Sequence, residues 1–402
     1  MWTKNTLLKF ERRRAYMEGK TILILGGGIG GLAAARHLRI ALPPEHRIVV
    51  VDKAGTFYIR ALNMRIIAGE MKHPSEGERD LSGLESKGIE WIRGEVLEID
   101  QKQKVVRTTA GTLKGDYIII ALGAERLPDA VAGFTRAAYN FYDAYQALKL
   151  KETLDEFDSG RIVILVCGTP FSCPAAPYET ALLIDSMFRK KEARQRVEIA
   201  IYTPEVLPMP SAGVSVGNAV CSMLDERGIE YHPLHKINRI EPDAHRLVFK
   251  ESEACFDLLA GVPPHIAPRV VQKAGMTDKT GWIPVDLQTL ETSYPGVFAI
   301  GDITSIRQPN PTGFFLPKAW VFAEEQSRVV ARNIATQILD DGKQSTFRGR
   351  GFCYIEVGEG KAAYGSGNFY ASPEPLVYLE AASERFHKER KALEQELLET
   401  LV

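Results

Sequence analysis

The chain has 402 residues, 45% of them hydrophobic and 25% charged, with a formal net charge of −1. That length exceeds one ordinary hydrophobic core and predicts two or three domains. The near-neutral balance gives no general case for nucleic acid as a partner, and no run approaches the roughly 20 apolar residues of a membrane span.

Residues 1–16 are charged, carry Arg12, Arg13 and Arg14, and read as an N-terminal extension rather than a signal peptide, so Met17 is a second candidate start. The stretch 20–52 then reads KTILILGGGIGGLAAARHLRIALPPEHRIVVVD. Residues 21–25 suit one buried strand, 32–40 are helix formers, and 48–51 suit a second buried strand closed by Asp52. Between them Gly26, Gly28 and Gly31 spell G-x-G-x-x-G. Gly26 permits the tight turn and Gly28 lets the backbone approach a pyrophosphate. Gly31 lets helix and strand pack closely, and the helix N-terminus offers free N–H groups to phosphates. Asp52, 21 residues after Gly31, is placed to accept hydrogen bonds from a ribose diol. The pattern predicts a dinucleotide site.

Residues 88–96 and 105–109 read as strands of a small meander. DYIIIALGA at 116–124 reads as a strand ending in a small-residue turn that returns the chain to the first sheet. A helix is expected around 141–157. Residues 161–166 open a second strand–turn–helix unit that continues to 197–202, but its glycine pattern is gone. CGTPFSCPAAPYE at 167–179 carries three prolines and bulky side chains, which leaves little room for a second pyrophosphate and counts against a nicotinamide cofactor. Residues 219–227 read as a helix and PPHIAP at 263–268 as a crossing segment. GVFAIGD at 296–302 reads as a buried strand ending in Gly301 and Asp302. A long helix opens near 316–320 and runs to about 339. A strand at 349–357 starts a smaller module. The terminal 383–402 reads as a charged, solvated helix. Its stripe of Phe386, Leu393, Leu397, Leu398 and Leu401 suits docking on a core or a second copy better than membrane attachment.

These elements predict an α/β fold: two Rossmann-like dinucleotide-binding domains and a small C-terminal α+β module. The expected divisions are the extension 1–16, a discontinuous FAD domain at 17–117 and 263–339, a second Rossmann-like domain at 118–262 with a degenerate nucleotide motif, and the module 340–402.

Taken together, GGGIGG with Asp52, DYIIIALGA, CPAAPYE, GVPPHIAP, GWIPVDLQTLET, GVFAIGD, LPKAWVFAEEQ and GRGFCYIEVGEG resemble the sulfide:quinone oxidoreductases and flavocytochrome c sulfide dehydrogenases. The resemblance covers nearly the whole chain from Lys20 to about Phe386. It implies an FAD-dependent oxidoreductase that takes electrons from sulfide or a related sulfur species and passes them to a quinone or a cytochrome. FAD would be held by Gly26, Gly28, Gly31, Asp52, Ala121, Gly123, Gly301, Asp302 and Lys318. A carboxylate after a buried strand suits ribityl hydroxyls, and a helix N-terminus with Lys318 suits an anionic reduced flavin. No metal ligand set is assigned.

The resemblance also puts the redox pair at Cys173 and Cys353, 180 residues apart. Hydrosulfide would attack one sulfur of their disulfide, leaving a persulfide there and a thiolate on the other. Cys353 is assigned to the flavin side, and Glu179, six residues after Cys173, to proton movement. Cys167, Cys221 and Cys255 are assigned structural roles; the odd total of five argues against a secreted disulfide framework. Among the aromatics near the site, Phe314 and Tyr354 are assigned to a flat quinone slot.

Two departures from the resemblance stand out. Glu125, Arg126 and Leu127 occupy the place where many relatives carry a third active cysteine, and the terminal helix is far more charged than the apolar segment of membrane-bound relatives. The competing readings are a type II NADH:quinone oxidoreductase and a non-catalytic FAD-binding protein. A cytoplasmic location is expected, either free or peripheral on the inner face of the cell membrane, with a homo-oligomer allowed.

Overall fold

A computed structural model describes residues 19–402; the extension 1–16 and the alternative start Met17 lie outside the described residues. Thr21–Leu25 sits at the centre of a five-stranded sheet. Arg47–Asp52 and then Glu90–Arg93 lie on one side of it, and Tyr117–Ile120 and then Val297–Ala299 on the other. Every pairing is parallel. The three central strands are almost wholly buried and apolar, as a parallel sheet covered on both faces requires. The helix Ile29–Ala41 follows the first strand and packs along the long helix Trp320–Leu339.

A second sheet repeats the plan. Gly160–Val166 is central, flanked by Val197–Tyr202 and Leu258–Val262, with Ile229–His232 and Ala138–Asn140 outermost, again all parallel. The expected α/β class with two Rossmann-like units is what the chain adopts.

Several local expectations change. Residues 88–96 do not form a meander strand: Glu90–Arg93 joins the first sheet, and the meander is Val96–Asp100, Val105–Thr108 and Gly111–Lys114. Trp91 and Ile92 pair beside Val50 and Val51, where an edge of the parallel sheet needs covering. Tyr117–Ile120 lies wholly in the first sheet, so a division at 117/118 would cut a strand. The chain instead crosses at Glu125–Arg126, which pairs antiparallel with the returning His265–Ile266. The helix expected at 219–227 starts earlier, as Val214–Asp225, because Gly213 at φ +96° supplies the turn into it.

The C-terminal module is an antiparallel sheet of Arg350–Gly358, Lys361–Asn368 and Leu376–Ser383. The helix Glu384–Leu401 follows, with the Ser383 hydroxyl accepting from the Phe386 N–H. It docks on the first two strands of that sheet and on Ile29–Ala41. It is not a simply solvated charged helix: its buried stripe includes Arg390 and Glu394 beside Phe386, Leu397, Leu398 and Leu401.

The tightest backbone approach is in the first turn. A Cβ on Gly31 would lie 1.9 Å from the Gly26 carbonyl oxygen, so strand and helix meet only through glycine. Gly31→Ala is expected to cost about 1–3 kcal/mol through overpacking. A thermal melt checks this; an unchanged midpoint would mean the turn has slack that this geometry denies.

Candidate functional site

The glycine turn is built as a phosphate cradle. Gly26 has φ +110° and backs so closely on Ala121 that a Cβ would sit 2.4 Å from the Ala121 oxygen. On the other side, a Cβ on Gly28 or Gly123 would meet nothing within 4 Å. The open side therefore faces away from the sheet, at the carboxyl ends of its strands. No side chain caps the helix Ile29–Ala41 and no acidic residue lies in its first turn. Its positive end is left for an anion. Asp52 accepts from the Gly27 N–H at 2.6 Å and the Ala54 N–H at 2.7 Å, which fixes the carboxylate and leaves lone pairs for hydroxyl donors. These features fit the phosphates and ribose of FAD.

The second half of the cradle is the Gly301–Ile303 turn. The Gly301 N–H donates to the Gln326 side chain at 2.7 Å, which ties the turn to the long helix. Lys318 is 5% exposed. Its ammonium donates to the Asp302 and Thr304 carbonyls and lies 3.5 Å from the Trp282 ring centroid. Burial pulls Lys318 down to about 7, and Asp302 partly offsets this. The long helix starts at Trp320, two residues beyond Lys318, again without a side-chain cap or an acid in its first turn. Asp302, Lys318, Pro317 and Gln326 line one small pocket. An anionic ring edge placed there would meet an unneutralised helix end and a buried lysine.

Cys173 is carried to this turn by the second domain. Its backbone has φ +49°, a left-handed conformation that a non-glycine residue adopts at a cost. Hydrogen bonds hold it on both sides. Its N–H donates to the Lys318 carbonyl at 2.7 Å, and its own carbonyl accepts from the Tyr142 hydroxyl at 2.9 Å. The preceding Ser172 hydroxyl donates to the Asp302 carboxylate at 2.5 Å. Cys353 arrives on the strand Arg350–Gly358, its thiol directed at the Tyr354 carbonyl at 3.3 Å. Both are free thiols, and each lies in the electrostatic field of the same Glu179 and Arg390. Burial pushes Cys173 up to about 12 and Cys353 higher; Glu179 adds to both shifts and Arg390 opposes both.

Glu179 is 1% exposed. It pairs with the Arg390 guanidinium and accepts from the Glu356 N–H at 2.9 Å. That fixed pairing departs from the proton-moving role expected of it: the carboxylate is tied to a cation and a backbone donor. Tyr354 does not share a face with Cys353. It adjoins Cys353 on a strand, so their side chains point to opposite faces. Tyr354 instead joins a row of rings, Trp320, Phe352, Tyr354, Tyr364 and Phe386, with centroids 5.0–5.9 Å apart. Phe314 is partly exposed on the turn after Arg307 and makes no ring contact among the described residues.

Of the other cysteines, Cys167 is buried behind the second sheet, whereas Cys255 is exposed on an edge strand and does not fill a core position. The sequence reading missed Ser172, Tyr142 and Arg390 because their partners are remote in the chain. Arg126 donates to the Tyr142 carbonyl and so helps hold the residue that holds Cys173. Arg390 left one signal: a charge in register with an apolar stripe, four residues after Phe386.

The second domain has its own buried acid, Glu205, three residues beyond the strand Val197–Tyr202. It accepts from the Tyr178 hydroxyl at 2.6 Å and the Thr203 hydroxyl at 3.2 Å. Burial raises Glu205 to about 7, against the pull of those two donors. An unfolded Glu titrates at about 4.3. Between those values the native state holds a proton that the unfolded state releases, so stability falls as pH rises through the window. Glu205→Gln is expected to shrink the difference in melting temperature between the two ends of that window; an unaltered difference would assign the slope to other groups.

Residues 20–327 match the model of the family described as pyridine nucleotide-disulphide oxidoreductase. The chain is 25% identical over 378 residues to the mitochondrial sulfide:quinone oxidoreductase of Mus musculus, covering 90% of this chain and 81% of that protein. It is 25% identical over 338 residues to a type II NADH:quinone oxidoreductase of Staphylococcus aureus, covering 79% and 82%. The X-ray structure of the sulfide:quinone oxidoreductase of Aquifex aeolicus superposes with a TM-score of 0.86 at 22% identity, over 95% of this chain and 91% of that one. With the paired Rossmann-like sheets and the FAD-type cradle, the chain belongs to the pyridine nucleotide-disulphide oxidoreductase family as an FAD-dependent oxidoreductase.

Proposed function

We propose that the chain oxidises sulfide, or a related sulfur species, at Cys173 and Cys353 and passes the electron pair through FAD to a quinone. The observation that carries this reading is the convergence of two thiols, 180 residues apart in sequence, on Glu179 and Arg390 beside the Gly301–Ile303 turn. FAD supplies a two-electron acceptor that a quinone can reoxidise.

In the disulfide form, hydrosulfide attacks one sulfur. The S–S bond breaks, the attacked cysteine becomes a persulfide, and the other leaves as a thiolate. Release of the sulfane sulfur and re-formation of the disulfide sum to hydrosulfide giving one zero-valent sulfur, one proton and two electrons. The chain's own part is to hold Cys173 in its strained turn, to place Cys353 against it, and to position charge through Glu179 and Arg390. Gly26, Gly28, Gly31, Asp52, Ala121, Gly123, Gly301, Asp302 and Lys318 are the residues we assign to FAD. The ring row from Trp320 to Tyr364 is our candidate for the quinone slot, in place of Phe314.

The NADH reading needs a second nucleotide site. Tyr178 is fully buried in the first turn of the helix Ala176–Lys190 and occupies Glu205, the acid a ribose would need. Pro170, Pro174 and Pro177 remove backbone N–H groups from the same turn. These features support sulfide over NADH as donor.

No described helix is long and apolar enough to cross a membrane. For peripheral contact, and a place on the inner face of the cell membrane, we assign the edge where the helix Val214–Asp225 packs on the strand Leu376–Ser383. Val214, Leu376 and Tyr378 are exposed there, whereas the stripe of the terminal helix is already buried.

Anaerobic addition of sulfide should bleach the flavin, NADH should not, and Cys173→Ser or Cys353→Ser should slow sulfide-driven bleaching at least a hundredfold. Full-rate bleaching in both variants would end the disulfide mechanism, and bleaching by NADH alone would move the nicotinamide reading ahead. No bleaching by either donor would leave a non-catalytic FAD-binding protein. Separately, Leu376→Ser with Tyr378→Ser should lower co-sedimentation with lipid vesicles; unchanged binding would place the membrane contact elsewhere.

A further inference from the structure

The terminal helix Glu384–Leu401 does more than close the C-terminal module. Arg390 is 7% exposed and leaves its helix to reach Glu179 in the first turn of Ala176–Lys190. Its guanidinium also lies 3.8 Å from Glu356 and 3.0 Å from Glu394. Two of these three carboxylates have another basic partner: Glu394 pairs with Arg65 at 2.5 Å, and Glu356 meets the His387 ring at 3.0 Å. Glu179 has no second ion pair among the described residues. The same Oε1 of Glu179 also accepts from the backbone N–H of Glu356, three residues along the strand from Cys353, and Glu179 stands six residues after Cys173.

We propose that Arg390 is a positioning residue for the cysteine pair, fixing Glu179 beneath the two sulfurs and supplying the positive charge against which a thiolate forms there. The reasoning is electrostatic. A thiolate beside an uncompensated buried carboxylate faces like-charge repulsion in a medium that screens poorly. Pairing Glu179 with Arg390 cancels most of that repulsion. The groups that bear on Cys173 are Glu179 in the helix that follows it, Asp302 on the adjoining turn, the Tyr142 hydroxyl, Arg390, and the Ala176 N–H, which like Arg390 favours the ionised sulfur. Those that bear on Cys353 are Glu179, Cys173 and Arg390. Arg390 is the group that both sets share in favour of the ionised sulfur. The terminal helix thus reaches the redox site through one side chain, and its docking is a condition for thiolate formation.

The proposal rests on the reading of Cys173 and Cys353 as the reactive pair, but its test needs no sulfide. The full-length, FAD-loaded protein is reduced with a phosphine and alkylated with iodoacetamide across the pH range in which thiols ionise. Labelling of the Cys173 and Cys353 peptides is followed by mass spectrometry. Arg390→Gln should slow alkylation of both at a given pH by about tenfold, one unit of thiol ionisation. Arg390→Lys should restore most of the rate, and Glu179→Gln should speed it. The double variant Glu179→Gln, Arg390→Gln should return near the parent rate. A folded Arg390→Gln protein with parent FAD content and parent alkylation rates overturns the proposal. So does an Arg390→Lys variant as slow as Arg390→Gln. If Arg390→Gln does not fold, the single Glu179→Gln variant decides: faster alkylation supports the proposal, and unchanged or slower alkylation overturns it. Failure of sulfide oxidation with the expected alkylation pattern would remove the sulfide reading alone.

Discussion

The structure turns on the join between Ser172–Cys173 and the Asp302–Lys318 turn. Two hydrogen bonds make it: the Ser172 hydroxyl to the Asp302 carboxylate, and the Cys173 N–H to the Lys318 carbonyl. Both donors follow a strand of the second sheet and both acceptors follow a strand of the first, so this pair of bonds brings the second domain's cysteine to the first domain's cradle. A neutral hydrogen bond contributes only about 1 kcal/mol net, and one to a charged group about 1.5–3. Their value here is in geometry. They hold Cys173 in a left-handed conformation that the turn alone would not keep.

Around that join the chain buries an unusual amount of charge. Glu179, Glu356 and Glu394 all lie within 4 Å of the Arg390 guanidinium, drawn from a helix, a strand and the terminal helix. Such a group is weak evidence for stability, because desolvation offsets most of the attraction. Losing one partner alone is different and costs about 3–5 kcal/mol. The arrangement is therefore better understood as a constraint on where charge can sit beside two sulfurs than as a source of fold stability.

The second Rossmann-like unit keeps the frame of the first without its glycine-rich turn. The strand–turn–helix frame is intact and parallel throughout. The glycines are replaced by a proline-rich turn that carries Cys173, and Tyr178 consumes the acid beyond the next strand. On the crossing segment, the Arg126 guanidinium pins Tyr142 through its backbone carbonyl. Tyr142 in turn holds the Cys173 carbonyl through its hydroxyl.

Local chemistry was legible in the sequence wherever neighbours along the chain decide it. Glycine spacing, the closing acid at Asp52 and the apolar runs of the parallel strands act over a few residues, and the paired α/β plan and the FAD cradle follow from them. The pairing of Cys173 with Cys353 rests on resemblance, since nothing in spacing joins positions 173 and 353. What tertiary structure decided was register and facing. Strand alternation turns Tyr354 away from Cys353, the parallel sheet claims Glu90–Arg93 from the meander, and helix docking buries Arg390 against Glu179. Each depends on which surfaces meet across long sequence separations, where a one-residue shift reverses a strand's faces, and that information is not carried by any local pattern.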